Sequence, residues 1–133
     1  MKLTDLDPHF VDHRVEPADS DIGRPLPDGS IQWGGFPQDV LYEQDEFKGA
    51  DGIEFLCPKC FAENGGEVGT HLIQVFFAGG DAPDTLGHDS EGKTVRWNAL
   101  GSGFDDLTLT PSIYVKVGCG WHGFVTNGEV TNA

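Results

Sequence analysis

Basic side chains are scarce in this chain: 8 Lys and Arg stand against 22 Asp and Glu, a formal charge of −14 at pH 7 over 133 residues. Phosphate backbones are bound by releasing counterions from Lys and Arg clusters, and a chain without such a cluster is repelled from them at long range. Direct nucleic-acid binding is therefore disfavoured, and the acidic surface is read first as a device for solubility. Long apolar runs are missing too. Nothing approaches the roughly 18 residues that cross a bilayer, and the opening Met1-Lys-Leu-Thr-Asp-Leu-Asp7 has no apolar segment of the kind that begins a secretory signal. No membrane contact and no classical export are expected. Cysteine is sparse at three residues, an odd number with two of them in Cys57-Pro-Lys-Cys60. A disulfide framework normally uses more, so a reducing compartment and a bound metal fit better.

Gly (19) and Pro (8) make up about a fifth of the chain, and each works against a helix or central strand that contains it. Long helices are not expected. Hydrophobic residues reach 38% and aromatics 11%, nine of them Phe, enough for one thin core that a metal would help to hold. The expected fold is mostly β: a small single-domain antiparallel sheet or sandwich clamped by a zinc knuckle.

Residues 1–50 hold Pro8, Pro17, Pro25, Pro27 and Pro37 among scattered acids and lack a sustained period of two or 3.6. They are expected to form an irregular N-terminal arm, with one short amphipathic turn from Leu3, Leu6, Phe10 and Val11, a second helical turn or two over residues 39–47, and a strand at Ile31–Trp33 ending in a turn at Gly34-Gly35. Residues 51–133 form the β domain in this reading. Ile53–Cys57 alternates into the first cysteine pair, Thr70–Phe77 is rich in β-formers, and Asn127-Gly128 between two β-prone runs marks a hairpin with a type I′ turn.

Two cysteines with two residues between them place both thiolates on one tight turn, as a tetrahedral zinc requires. Cys119-Gly-Trp-His122 repeats that spacing some 60 residues later. Cys57, Cys60, Cys119 and His122 are thus expected to bind one structural zinc, with His71 or His88 as alternative occupants of the histidine position. Three thiolates and a histidine fill the coordination sphere, which argues against a catalytic ion. Asp19-Ser-Asp21, Asp81 with Asp84, and Asp105-Asp106 lack the spaced loop of a calcium site and read as solvated turns. Ser112 stands in no nucleophile-elbow motif and has no visible paired base, so no catalytic triad is expected.

Ile53-Glu-Phe-Leu-Cys-Pro-Lys-Cys60, Leu107-Thr-Leu-Thr-Pro-Ser-Ile113 and Trp121-His-Gly-Phe-Val-Thr-Asn-Gly-Glu-Val130 resemble a family of small phage- and prophage-encoded proteins often labelled ammonia monooxygenase. The shared elements fall on Cys57, Cys60, Thr110-Pro111-Ser112 and His122. That label conflicts with the chemistry, which needs copper in a membrane protein, whereas this chain has no His-rich copper site. The resemblance implies a protein of the host-cell cytoplasm or of the virion. The function expected from sequence is non-enzymatic: a zinc-stabilised protein acting by binding a phage structural protein or host factor, with homo-oligomerisation an open option. The rival is a zinc-dependent hydrolase with an open coordination position near Asp105, Asp106 or Glu54.

Overall fold

The computed structural model describes residues 1–16, 23–34, 37–89 and 91–133. Asp19, Asp21, Pro17 and the Gly35 half of the expected turn lie outside them. Strands β1 (His9–Glu16), β4 (Gln38–Gln44), β5 (Gly52–Leu56) and β6 (Leu72–Phe76) form one sheet in the order β4-β1-β5-β6. Strands β7 (Asn98–Leu100), β8 (Thr108–Tyr114), β9 (His122–Thr126) and β10 (Glu129–Asn132) form a second, in the order β10-β9-β8-β7, and β2 (Gly23–Pro25) pairs with β3 (Ile31–Trp33) as a ribbon. The fold is mostly β, with antiparallel pairing and one short helix, α1 (Pro58–Asn64). No helix among the described residues is long and apolar enough to cross a membrane.

The chain divides into two compact units, Met1–Asp12 with Glu43–Ala133, and His13–Tyr42. The expected break at residue 50 is not where they part. Leu3, Leu6, Phe10 and Val11, assigned above to an irregular arm, are fully buried in the first unit. Phe10 explains why: its ring stacks on Phe104 with centroids 4.3 Å apart, and its strand pairs with Ile53 of β5. A period of two was hard to see because the two buried residues of β1, Phe10 and Val11, are adjacent and so lie on opposite faces of the strand. The second unit holds the β2–β3 ribbon, with the Arg14 guanidinium over the Tyr42 ring at 4.7 Å and a His13–Asp39 contact of 2.8 Å.

One core serves both sheets of the first unit. Ile53, Phe55 and Val75 from the first sheet join Leu109, Ile113, Val125 and Val130 from the second, with Leu3, Leu6 and Leu107 from connecting segments. These positions alternate along β8, β9 and β10, so one face of that sheet is buried and the other looks outward. Asn127 and Gly128 both have positive φ (48° and 76°), as the β9–β10 hairpin requires, and Glu129 stands opposite Thr126.

Strand β8 is not regular. Leu109 pairs with Val125 but Ile113 with Gly123, so four steps along β8 match two along β9. The extra residues fall around Pro111, which lacks the N–H that a regular ladder would need and is tolerated at such a bulge. The bulge sets which side chains of β8 meet those of β9.

Gly123 on β9 leaves room for a neighbour. A Cβ there would run into the Thr131 carbonyl and the Trp121 ring. That ring is buried, and its Nε1–H donates to Asn132 Oδ1 at 3.0 Å. Gly123→Ala is expected to lower the melting temperature by roughly 10 °C, as overpacking against backbone costs about 2–3 kcal/mol; thermal denaturation followed by circular dichroism checks it.

Candidate functional site

Two clusters of chemically active side chains lie in the first unit. The first gathers at the start of α1. Strand β5 ends at Leu56, Cys57 takes the N-cap position with extended backbone, Pro58 opens the helix, and Gly65 closes it with a left-handed turn. Cys60 therefore lies on the first helical turn, beside Cys57. The loop before β9 brings Cys119, and the start of β6 brings His71. The ligating atoms of Cys57, Cys60, His71 and Cys119 all lie within 4.8 Å of one another. Cys57 Sγ is 3.5 Å from Cys119 Sγ, and His71 Nε2 is 3.4 Å from Cys119 Sγ. Tetrahedral zinc with bonds of about 2.3 Å to sulfur separates its thiolates by about 3.7 Å, so the donor set and its spread fit such an ion. The Lys59 ammonium donates to the Cys119 carbonyl at 2.6 Å, a second tie between helix and loop.

The thiols differ in acidity. Burial pushes Cys57 up to about 12 and also raises Cys60. Burial works in the same direction on Cys119, but the backbone N–H of Trp121 and the His71 ring outweigh it and bring that thiol down to about 7. Because β5 and β6 run antiparallel on either side of α1, the cysteine pair does not sit in the parallel βαβ setting of a thioredoxin-like redox motif.

His122 is not in this group. Its place there is taken by His71, while His122 lies on the outward face of β9 with its Nε2 2.9 Å from Ser112 Oγ. His88 also lies elsewhere, bridging to Thr94. Two of the carboxylates named above as neighbours of an open metal site, Asp106 and Glu54, are engaged elsewhere. Asp106 accepts from the N–H groups of Ser102 and Gly103 and from the Ser102 hydroxyl, and Glu54 faces Gln74 at 3.4 Å.

The Ser112–His122 pair is the second cluster, and it corrects the expectation that Ser112 has no base. Tyr114 and His122 are direct partners across β8 and β9. Ser112, two residues before Tyr114, faces the same side of the sheet and reaches His122 diagonally. In the tautomer with hydrogen on Nδ1, the serine hydroxyl donates to Nε2. Ser112 is half-buried and His122 exposed. The Trp97 indole N–H donates to the Ser112 carbonyl at 3.3 Å, which fixes the serine's backbone. The Tyr114 ring lies 5.1 Å from the imidazole at 54°, and Phe124 flanks it at 6.4 Å.

No curated protein and no solved structure matches the chain. A family model described as bacterial ubiquitination-like system serine protease (BubE) matches residues 32–133, more than three quarters of the sequence. This overturns the expectation of a non-enzymatic phage protein that works by binding alone, and with it the rival of a zinc-dependent hydrolase, because the family is one of enzymes whose nucleophile is a serine. A role among proteins survives the correction, since a ubiquitination-like system implies protein partners. The chain belongs to the BubE family of serine proteases of bacterial ubiquitination-like systems.

Proposed function

We propose that the protein is a serine peptidase in which Ser112 is the nucleophile and His122 its general base. The single observation that carries this is the 2.9 Å contact between Ser112 Oγ and His122 Nε2, within the reach a serine needs to be activated. Attack by Oγ on a carbonyl carbon passes its proton to Nε2; the imidazolium then protonates the departing amine, and the same base activates the water that releases the acyl group. His122 makes no hydrogen bond or ion pair to a carboxylate among the described residues. The imidazole is oriented instead by Tyr114 and Phe124, so the pair works as a dyad held by ring packing.

The family supports the substrate class: a ubiquitin-like protein or a conjugate of one. The test is reaction of the purified protein with a fluorophosphonate, followed by peptide mapping. Modification at Ser112, absent in His122→Ala, is the expected result, and modification elsewhere overturns the assignment.

Ring packing of this kind contributes on the order of 1 kcal/mol. Tyr114→Ala is accordingly expected to slow fluorophosphonate labelling about fivefold to tenfold, and Tyr114→Phe, which keeps the ring, to restore it. A rate unchanged in Tyr114→Ala would remove Tyr114 from the positioning of the base.

We infer further that Cys57, Cys60, Cys119 and His71 hold one zinc ion. With four protein donors the ion is structural, and it supplies a clamp between α1, the head of β6 and the loop that leads into β9. Cys119 stands three residues before His122, so this clamp also fixes the loop from which the base emerges.

A further inference from the structure

Ser112 and His122 open on different depressions. Ser112, with Val95, Trp97, Tyr114, Lys116 and Val117, lines a cavity of about 430 Å³. His122 lines a wider one of about 830 Å³, together with Lys59, Glu63 and Asn132. The direction of the reaction distinguishes them. A histidine that takes the serine's proton must hand it to the leaving amine, so the leaving group lies on the histidine's side and the acyl portion on the other. The acyl portion is thereby assigned to the cavity that Ser112 lines and His122 does not.

Val95, Trp97, Tyr114 and Val117 form the apolar walls of that cavity, while Gln74, His88, Asp89 and Lys116 make up its polar side. Val117 is 79% exposed and Tyr114 56%, bulky hydrophobic surface left in water beside a nucleophile, with Trp97 and Val95 behind. Its charges offset one another: Lys116 shares the rim with Asp89, whose carboxylate accepts from the N–H groups of Glu91 and Lys93. Nothing there selects a charged residue. The volume is in the range of pockets that hold small ligands, about 300–1,000 Å³, and suits a large aliphatic or aromatic side chain.

We propose that this cavity receives an apolar side chain from the acyl part of the substrate, adjacent to the bond that is cut. The inference rests on Ser112 being the nucleophile. Short peptide aldehydes test it, because they occupy the acyl side alone: Oγ adds to the aldehyde carbon and its proton passes through His122 to the aldehyde oxygen. Four peptides that differ only in the residue bearing the aldehyde (Leu, Phe, Gly, Asp) would compete against fluorophosphonate labelling, in which Oγ displaces fluoride from phosphorus. The Leu and Phe aldehydes are expected to compete at concentrations at least about tenfold lower than the Gly and Asp ones, the low end of apolar-pocket discrimination. In Val95→Asp and, separately, Val117→Glu, that ratio is expected to fall below about threefold, read within each protein. Equal competition by all four aldehydes, or by none, while Ser112 is still labelled overturns the cavity's role and leaves the nucleophile standing. Absence of labelling at Ser112 overturns the nucleophile and this inference with it.

Discussion

Ser112→Ala is expected to lower peptidase activity by at least about 1,000-fold while the protein stays folded. The magnitude follows from the chemistry: removing a nucleophile or its base from a serine peptidase leaves only what substrate binding and backbone dipoles contribute. His122→Ala should fall to a similar level, and the double variant should be no worse than either single one, because the two groups act as one unit. Fold and chemistry can be separated here. Ser112 contributes one side-chain hydrogen bond at the surface, worth about 1 kcal/mol, so Ser112→Ala should shift the melting temperature by no more than roughly 5 °C. Hydrolysis of a ubiquitin-like substrate, followed by mass spectrometry beside a thermal melt, checks both parts. Substantial cleavage by a folded Ser112→Ala protein would require a different nucleophile.

Much of the β architecture was legible because local rules decide it. Asn127-Gly128 supplies the positive φ values of a tight hairpin, and Ile53 to Leu56 leads into the Cys57-Pro58 helix start through a strand whose inward residues are apolar. Of the early strands, Ile31–Trp33 was legible, whereas β1 was not and residues 39–47, read as helical turns, fall largely in strand β4. Residues His9 to Glu16 show little alternation, and Phe10 is recruited to the core by Phe104 and Ile53, partners more than 40 residues away. Contacts of that separation leave no local trace in the chain.

The catalytic pair failed to show for a related reason. Ser112 and His122 both stood out as elements of the family resemblance, and a period of two puts Ser112 beside Tyr114 and His122 beside Phe124 on outward faces. Their meeting depends on register, and a shift of one residue sends every side chain to the opposite face. The bulge around Pro111 sets that register, and its size cannot be counted from residue types. Matching spacings instead drew His122 toward Cys119, as two intervening residues resemble the first cysteine pair. The strand that begins at His122 turns its side chain to the outer face of the sheet, while His71, one strand start away, completes the thiol cluster.

Removal of zinc is expected to unfold the first unit, and the histidine variants should divide cleanly. Three thiols and an imidazole converge where burial holds Cys57 and Cys60 protonated in the absence of a cation. An ion that binds them as thiolates must displace those protons, and its binding free energy becomes folding free energy. The clamp ties α1 to the loop at Cys119, a closure of some 60 residues that no disulfide makes, the three cysteines being free. Elemental analysis of untagged protein should give one zinc per chain. Cys57→Ser should lose the metal and the cooperative thermal transition. His71→Ala should weaken zinc retention by at least about tenfold in a chelator titration, while His122→Ala should keep both the metal and the melting temperature and lose only activity. Retention of zinc in His71→Ala together with its loss in His122→Ala would invert the two roles. The imidazole beside Ser112 would then be a ligand, and the protein would need a different general base.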